Sequence, residues 1–339
     1  MRAVLCERWG EPEVLRLGEI EAPEPGAGEV RLAVHAAGVN FADILMVAGK
    51  YQEKPPFPFT PGMEVAGVVE AVGAGVTRFK PGERVLALPG SGGFAESALA
   101  QAHNVFAIPE AMDFVTAAGF AITYGTALGA LVWRAALEAG ELLLVHGAAG
   151  GVGLAAVEVG KTLGATVIAT ARGADKLAVA EAHGADHLID TGAEDVRARV
   201  KEIAAGLGDG RGDGGGGKAG ADVVFDPVGG DLFEASLRCV AWGARLVIIG
   251  FAAGRVQQIP ANILLVKNVA ALGFYWGSYR ARMPELVAAE YAQLFGWHAK
   301  GKLKPHVSRT LDLGQAAEAL ELLKTRKSTG KVVLVTGRA

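Results

Sequence analysis

The sequence predicts an α/β protein in two parts, a compact β unit followed by a doubly wound parallel sheet covered by helices. Three observations carry that expectation. To about Thr123 the chain is rich in Val, Gly and Pro, with short apolar runs separated by turn signals. Beyond it, β-rich runs alternate with helical patterns. Between these textures, Glu141-Leu-Leu-Leu-Val-His-Gly-Ala-Ala-Gly-Gly-Val-Gly153 reads as a buried strand breaking through glycines into a helix.

In the first part the strands are expected at Val30 to Val34, Val65 to Val72 and Val85 to Leu88. The turns Thr60-Pro61-Gly62 and Pro81-Gly82-Glu83-Arg84 launch the second and third. In the second part they are expected at Leu142 to Val145, Thr166 to Thr170, His187 to Ile189, Asp222 to Phe225, Leu246 to Ile249 and Val269 to Leu272, with a helix from Gly151 to Leu163. A long helical pattern follows from Met283 to Ala299, then a strand after Lys304-Pro305-His306. A helix capped at Asp312 and running through Gln315 to Leu323 precedes the closing strand Val332 to Val335. This tail lacks the strand–helix repeat, so it is expected to rejoin the first part. The domains are then residues 1–123 with 266–339, and 124–265. The low-complexity stretch Gly206 to Gly220 reads as a flexible surface insertion. Within it, Gly212 to Lys218 nearly spells a triphosphate-binding loop, but Ala219 lacks the hydroxyl that ligates Mg²⁺ and no buried strand leads in, so it reads as linker.

Composition narrows the function classes. With 339 residues, 51% hydrophobic and 20% charged, the chain describes a folded globular protein. Its 33 Lys and Arg against 36 Asp and Glu leave a net charge of -3, without the basic field that gathers nucleic acid or anionic lipid. No nucleic-acid or membrane partner is expected. Charges enter early at the N-terminus, and no apolar run approaches the ~20 residues that span a bilayer, which points to a cytoplasmic protein. Cys6 and Cys239 stand far apart and read as buried thiols; the seven histidines, His35 and His146 among them, lack ligand spacing and read as packed or hydrogen-bonded.

The glycine turn is the most informative stretch. A helix opening at Gly151 aims unpaired N–H groups and a positive dipole end outward, while missing Cβ atoms let a pyrophosphate approach. The expected contacts are Ala148, Gly150, Gly151, Val152 and Gly153. Ala148 stands where the commonest dinucleotide pattern has its first glycine, so the turn is a variant of that pattern. The end of the second strand selects the coenzyme, because an acid there binds the ribose 2′-OH and repels a 2′-phosphate. Here the segment is Thr170-Ala-Arg172-Gly-Ala-Asp175-Lys176, with no acid at the strand end. Arg172 and Lys176 suit a phosphate and Asp175 a helix cap, so NADP(H) is favoured over NAD(H). Asp222 to Gly230 and Leu246 to Gly254 also end apolar strands in glycine turns, which places Gly250 and Phe251 on the coenzyme side.

Nearly end to end the chain resembles the zinc-free, zeta-crystallin-like quinone oxidoreductases of the medium-chain dehydrogenase/reductase superfamily. The resemblance rests on Ala37-Gly-Val-Asn40-Phe-Ala-Asp43, Pro61-Gly-Met63-Glu64-Val-Ala-Gly-Val-Val, the turn Ala148 to Gly153, Asp222 to Gly230, Ile249-Gly-Phe-Ala252 and Thr329-Gly-Lys331-Val-Val-Leu. It implies a GroES-like β domain closed by the C-terminal tail, a Rossmann domain, and an active site in the interdomain cleft. It also implies a homodimer joined through the Rossmann sheet edge near Val269 to Phe274. Asn40, Asp43, Tyr51 and Thr123 fall around the implied cleft, with Tyr51 and Asn40 as donors to a developing oxyanion and Asp43 orienting them. Arg326 matches a coenzyme-binding arginine and Lys176 a 2′-phosphate ligand, whereas Thr191 stands where many relatives carry a tyrosine.

Zinc-dependent alcohol dehydrogenases of that superfamily hold a catalytic zinc through a cysteine and a histidine where this chain has Asn40 and Met63, and the four-cysteine structural lobe is missing. No metal is expected. Without a Lewis acid, the acceptor expected to take a hydride is one that spreads charge through conjugation. That is a quinone, or alternatively an enoyl- or acrylate-type α,β-unsaturated carbonyl. A zinc alcohol dehydrogenase and a non-catalytic NADPH-binding sensor are the remaining classes.

Overall fold

The computed structural model describes residues 1–207 and 219–338. It forms two compact units, Met1–Ile122 with Arg280–Ala299 and Pro305–Ala339, and Thr123–Tyr279 with Lys300–Lys304. Residues 208–218, the body of the expected insertion and its near-match to a phosphate loop, lie outside the described residues.

The chain opens with β1 (Arg2–Leu5), β2 (Arg16–Glu19), β3 (Glu29–Val39), α1 (Phe41–Val47), β4 (Glu64–Val72), β5 (Arg84–Ala87), β6 (Ser97–Gln101), β7 (Val105–Ala107) and α2 (Phe114–Leu128). It continues through β8 (Leu142–Val145), α3 (Gly151–Thr162), β9 (Thr166–Ala171), α4 (Ala174–Ala182), β10 (His187–Asp190), α5 (Val196–Gly206), β11 (Ala221–Asp226), α6 (Gly230–Cys239), β12 (Val240–Ile248), α7 (Ala261–Lys267), β13 (Ala270–Gly273) and α8 (Gly277–Arg282). It closes with α9 (Pro284–Ala299), β14 (Val307–Asp312), α10 (Ala316–Lys324) and β15 (Lys331–Val335).

In the first unit β15 slots antiparallel against β3, Val332 opposite Val39 and Val335 opposite Ala36, so the end of the chain completes the sheet begun near its start. The sheet order is β14-β15-β3-β4-β5-β7, with β6 also paired to β3. Val30, Leu32, Val34, Val65, Val69 and Val332 fill its core. Alternation along β3 and β4 drives this, because β-branched side chains on one face share one apolar interior.

The second unit carries a six-stranded sheet ordered β10-β9-β8-β11-β12-β13, with every neighbouring pair parallel. The order reverses beside β8, so the carboxyl ends of β8 and β11 bound the crevice where such sheets take ligands. All four residues of β8 are buried, as a parallel strand covered on both faces requires.

Two expectations need correction. The return to the first unit comes at Arg280, not at residue 266, because β13 continues the parallel sheet, Arg245 opposite Ala270 through Ile248 opposite Gly273. And one apolar helix does reach membrane-spanning length. A π-helical turn extends α2 so that Phe114–Arg134 forms 21 residues, most of them buried in the fold as in a core helix. Its small and hydroxyl residues interrupt the apolar pattern that a reader of the sequence looks for.

Candidate functional site

In the second unit, β8 breaks through a glycine turn into α3. Past β8 the chain reverses at Gly147, φ +59°, and Gly150 caps α3 with no side-chain hydrogen bond. The first N–H groups of α3, at Gly151, Val152 and Gly153, therefore have no intrahelical acceptor and face outward. A Cβ on Gly153 would lie 2.3 Å from Gly147 O, so the helix packs against the turn as closely as backbone allows. The buried Ala148 donates its N–H to Thr170 O at 3.0 Å, locking the turn onto the next strand. His146, fully buried, links three elements through Thr170 Oγ1 at 2.9 Å and Ser236 Oγ at 2.7 Å. Burial lowers its pKa, so it is a structural neutral imidazole.

The adjoining strand ends are knitted together. Asp226 Oδ1 accepts from Val228 N and Gly229 N, each at 2.8 Å. Its backbone carbonyl accepts from Ile249 N at 2.9 Å, and Ala252 N reaches Pro227 O at 3.1 Å. These bonds hold the Gly250 loop against β11. A Cβ on Gly250 would stand 3.3 Å from Pro227 O, and the Phe251 ring is exposed. Beyond β9, Arg172 is exposed and Lys176 half-exposed on the first turn of α4. The cap of α4 is Gly173, φ +90°, and not Asp175, which lies inside the first turn where its charge favours the helix dipole. The uncapped helix, the glycine close approach and the two cations fit a dinucleotide with its pyrophosphate on α3.

In the first unit a buried charge cluster gathers where β3, β4, α1 and β15 meet. Lys331 Nζ donates to Val39 O at 2.8 Å, Asn40 Oδ1 at 2.8 Å and Glu64 Oε1 at 2.7 Å. Glu64 also accepts from Asn40 Nδ2 at 2.8 Å and from Ile122 N at 2.7 Å. Asp43, fully buried, accepts from Asn40 N at 2.8 Å and Gly62 N at 3.2 Å, and desolvation raises its pKa to about 7.

This geometry corrects one expectation about Asn40. One of its amide hydrogens goes to Glu64, the other to Gly38 O at 3.4 Å, and its oxygen is taken by Lys331, so it orients neighbours rather than donating to a substrate. Asp43 meets Asn40 at its backbone N–H. Tyr51, half-buried, packs against the same core; Thr123 is buried on α2; and Arg326 follows α10 in a left-handed conformation, φ +57°. Sequence reading missed the centre of the cluster, Lys331. The available signals were its place in the segment Thr329 to Leu334 and a lysine opening an otherwise apolar strand. His35 packs in a tilted arrangement against Phe114, 4.3 Å between centroids, and both cysteines are buried and outside any disulfide.

The positions that hold zinc in related dehydrogenases do not suit it here. An amide and a thioether stand at Asn40 and Met63, and both Glu64 oxygens are already tied to Lys331, Asn40 and Ile122.

Residues 26–110 match the alcohol dehydrogenase GroES-like domain and residues 151–292 the zinc-binding dehydrogenase family. A quinone oxidoreductase-like protein 2 homolog of Nematostella vectensis is 41% identical, over 99% of this chain and 89% of the relative. The structure of Escherichia coli quinone oxidoreductase complexed with NADPH superposes with a TM-score of 0.89 at 30% identity, covering 99% of this chain and all of that one. A mycobacterial protein complexed with NADPH gives 0.90 at 31%, covering 99% of each. The fold and site define a medium-chain dehydrogenase/reductase, with a GroES-like domain and a Rossmann-type sheet. Within that superfamily the chain belongs to the quinone oxidoreductase-like family of NAD(P)-dependent oxidoreductases.

Proposed function

We propose that this protein is an NADPH-dependent, zinc-independent reductase that transfers hydride to a quinone. The observation that carries the reading is the uncapped start of α3 behind a glycine turn, and the absence of an acid at the end of β9, where Arg172 and Lys176 follow, supports the phosphorylated coenzyme. When bound, the nicotinamide supplies the hydride. The N–H groups of Gly151, Val152 and Gly153 hold the pyrophosphate, Arg172 and Lys176 the 2′-phosphate, and Gly250 and Phe251 line the coenzyme along the strand ends. Arg326 adds a further cation.

On the acceptor side, the Tyr51 hydroxyl donates to the reduced oxygen, with Thr123 as a second hydroxyl. Asn40 and Asp43 hold the local backbone, and Lys331 neutralises Glu64 beneath them. A conjugated acceptor needs no Lewis acid, which agrees with a cluster closed by lysine rather than by metal. Two copies are expected to join through the β13 edge of the sheet, which has no partner among the described strands.

Steady-state oxidation of NADPH against 1,4-benzoquinone, 9,10-phenanthrenequinone, methyl vinyl ketone and a crotonyl thioester tests the proposal. Turnover confined to the enone or thioester would reassign the protein as an enoyl-type reductase. Tight coenzyme binding with no turnover of any acceptor would make it a sensor.

A further inference from the structure

The coenzyme-selecting end of β9 carries no acid of its own, yet the neighbouring strand brings one to it. Asp190 closes β10 and pairs in register with Ala171, the last residue of β9. Its Oδ1 accepts the N–H of Gly173, 3.1 Å, in the turn leaving β9, and the N–H of Gly192, 2.8 Å. The Arg172 side chain lies alongside, since a Cβ on Gly192 would stand 3.2 Å from both Arg172 Cγ and Asp190 Oδ1. Those two backbone bonds, then the Arg172 charge, hold the Asp190 carboxyl below its usual range, so it is ionised at neutral pH. Of the two other acids of this loop, Glu194 is paired with Arg199 at 2.8 Å and Asp195 caps α5 by accepting from Ala198 N at 3.0 Å. Asp190 Oδ2 accepts no hydrogen bond from the described residues.

A 2′-phosphate held by Arg172 and Lys176 therefore meets a fixed anion on the same turn, while a ribose 2′-hydroxyl meets an acceptor. We propose that Asp190 is a coenzyme-selecting residue, a carboxylate supplied by the third strand in place of the second, which offsets Arg172 and lets the protein take NADH as well as NADPH. The inference rests on the reading that the β8–α3 turn binds a dinucleotide.

Calorimetry on the apoprotein with NADPH, NADH and 2′,5′-ADP tests it. Asp190→Asn keeps the Oδ1 acceptor for Gly173 and Gly192 but removes the charge. The parent should bind both coenzymes, and D190N should tighten NADPH and 2′,5′-ADP by about tenfold, about 1.4 kcal/mol, with NADH unchanged or weaker. That gain should shrink at high salt. Arg172→Gln, read in parallel, should turn the preference to NADH. Equal changes for both coenzymes in D190N, no gain for NADPH, or a parent that refuses NADH overturns the proposal. A parent that binds neither coenzyme overturns the dinucleotide reading itself, and is seen before any variant is made.

Discussion

Replacing Lys331 by methionine removes the one cation from the buried cluster of the first unit while preserving much of the side chain's apolar volume. The ammonium's three donors are fully used, on Val39 O, Asn40 Oδ1 and Glu64 Oε1. With Lys331 only 6% and Glu64 0% exposed by side chain, water does not screen the pair. After the substitution, Glu64 keeps only Asn40 Nδ2 and Ile122 N as donors. A buried ion left without its partner typically costs about 3–5 kcal/mol, and that loss is expected for K331M in urea unfolding followed by circular dichroism. The double variant Lys331→Met with Glu64→Gln removes both charges. It should be more stable than the sum of the single effects by a coupling of about 1–3 kcal/mol. If K331M stays within about 1 kcal/mol of the parent, or if the two effects add, the pair is not the electrostatic centre of the cluster.

Three further outcomes follow from the same geometry. Gly153→Ala places a Cβ 2.3 Å from Gly147 O and should lower stability by about 1–3 kcal/mol and weaken coenzyme binding. Gly150→Ala, whose nearest contact would be 3.3 Å, should cost less in the same titrations. Asp43, raised to about 7 by burial, keeps its proton in the fold and loses it when unfolded. Its stabilising contribution is thus full below about pH 4 and is lost as pH rises through 7, with a slope of at most about 1.4 kcal/mol per pH unit. Urea midpoints across that range should fall in the parent and flatten in D43N; an equal slope in both sinks the assignment. Light scattering should return twice the 34.9 kDa chain mass if β13 forms the dimer edge.

Most of the framework is legible in the sequence because it rests on periodicity. Each expected strand of the parallel sheet, from Leu142 to Leu272, overlaps an observed one, and the helix after Asp312 begins behind a glutamine whose Oε1 accepts the Asp312 N–H at 3.0 Å. Local chemistry decides such elements: apolar runs, glycine turns and caps act within a few residues. The boundary at residue 266 failed for the opposite reason. That boundary cut the expected strand Val269 to Leu272 away from the parallel sheet, whereas main-chain bonds to β12 keep it there and the chain crosses back only afterwards. The helix cap fell to Gly173 and not Asp175 because a glycine at φ +90° makes the turn that an aspartate side chain was expected to make.

The sequence by itself determined the two-part architecture, the glycine turn before α3 and the residue types, an amide and a thioether, at Asn40 and Met63, since each follows from residue type and near-neighbour spacing. Tertiary structure alone decided that Lys331 reaches back to Asn40 and Glu64, that Asn40 has no hydrogen left for a substrate, and that Asp190 serves the turn of another strand. Apart from the local Asn40–Gly38 bond, these pairings join residues 17 to 291 positions apart. Charge and hydrogen bonding act over a few ångströms of space, and chain folding, not sequence spacing, sets which groups come that close.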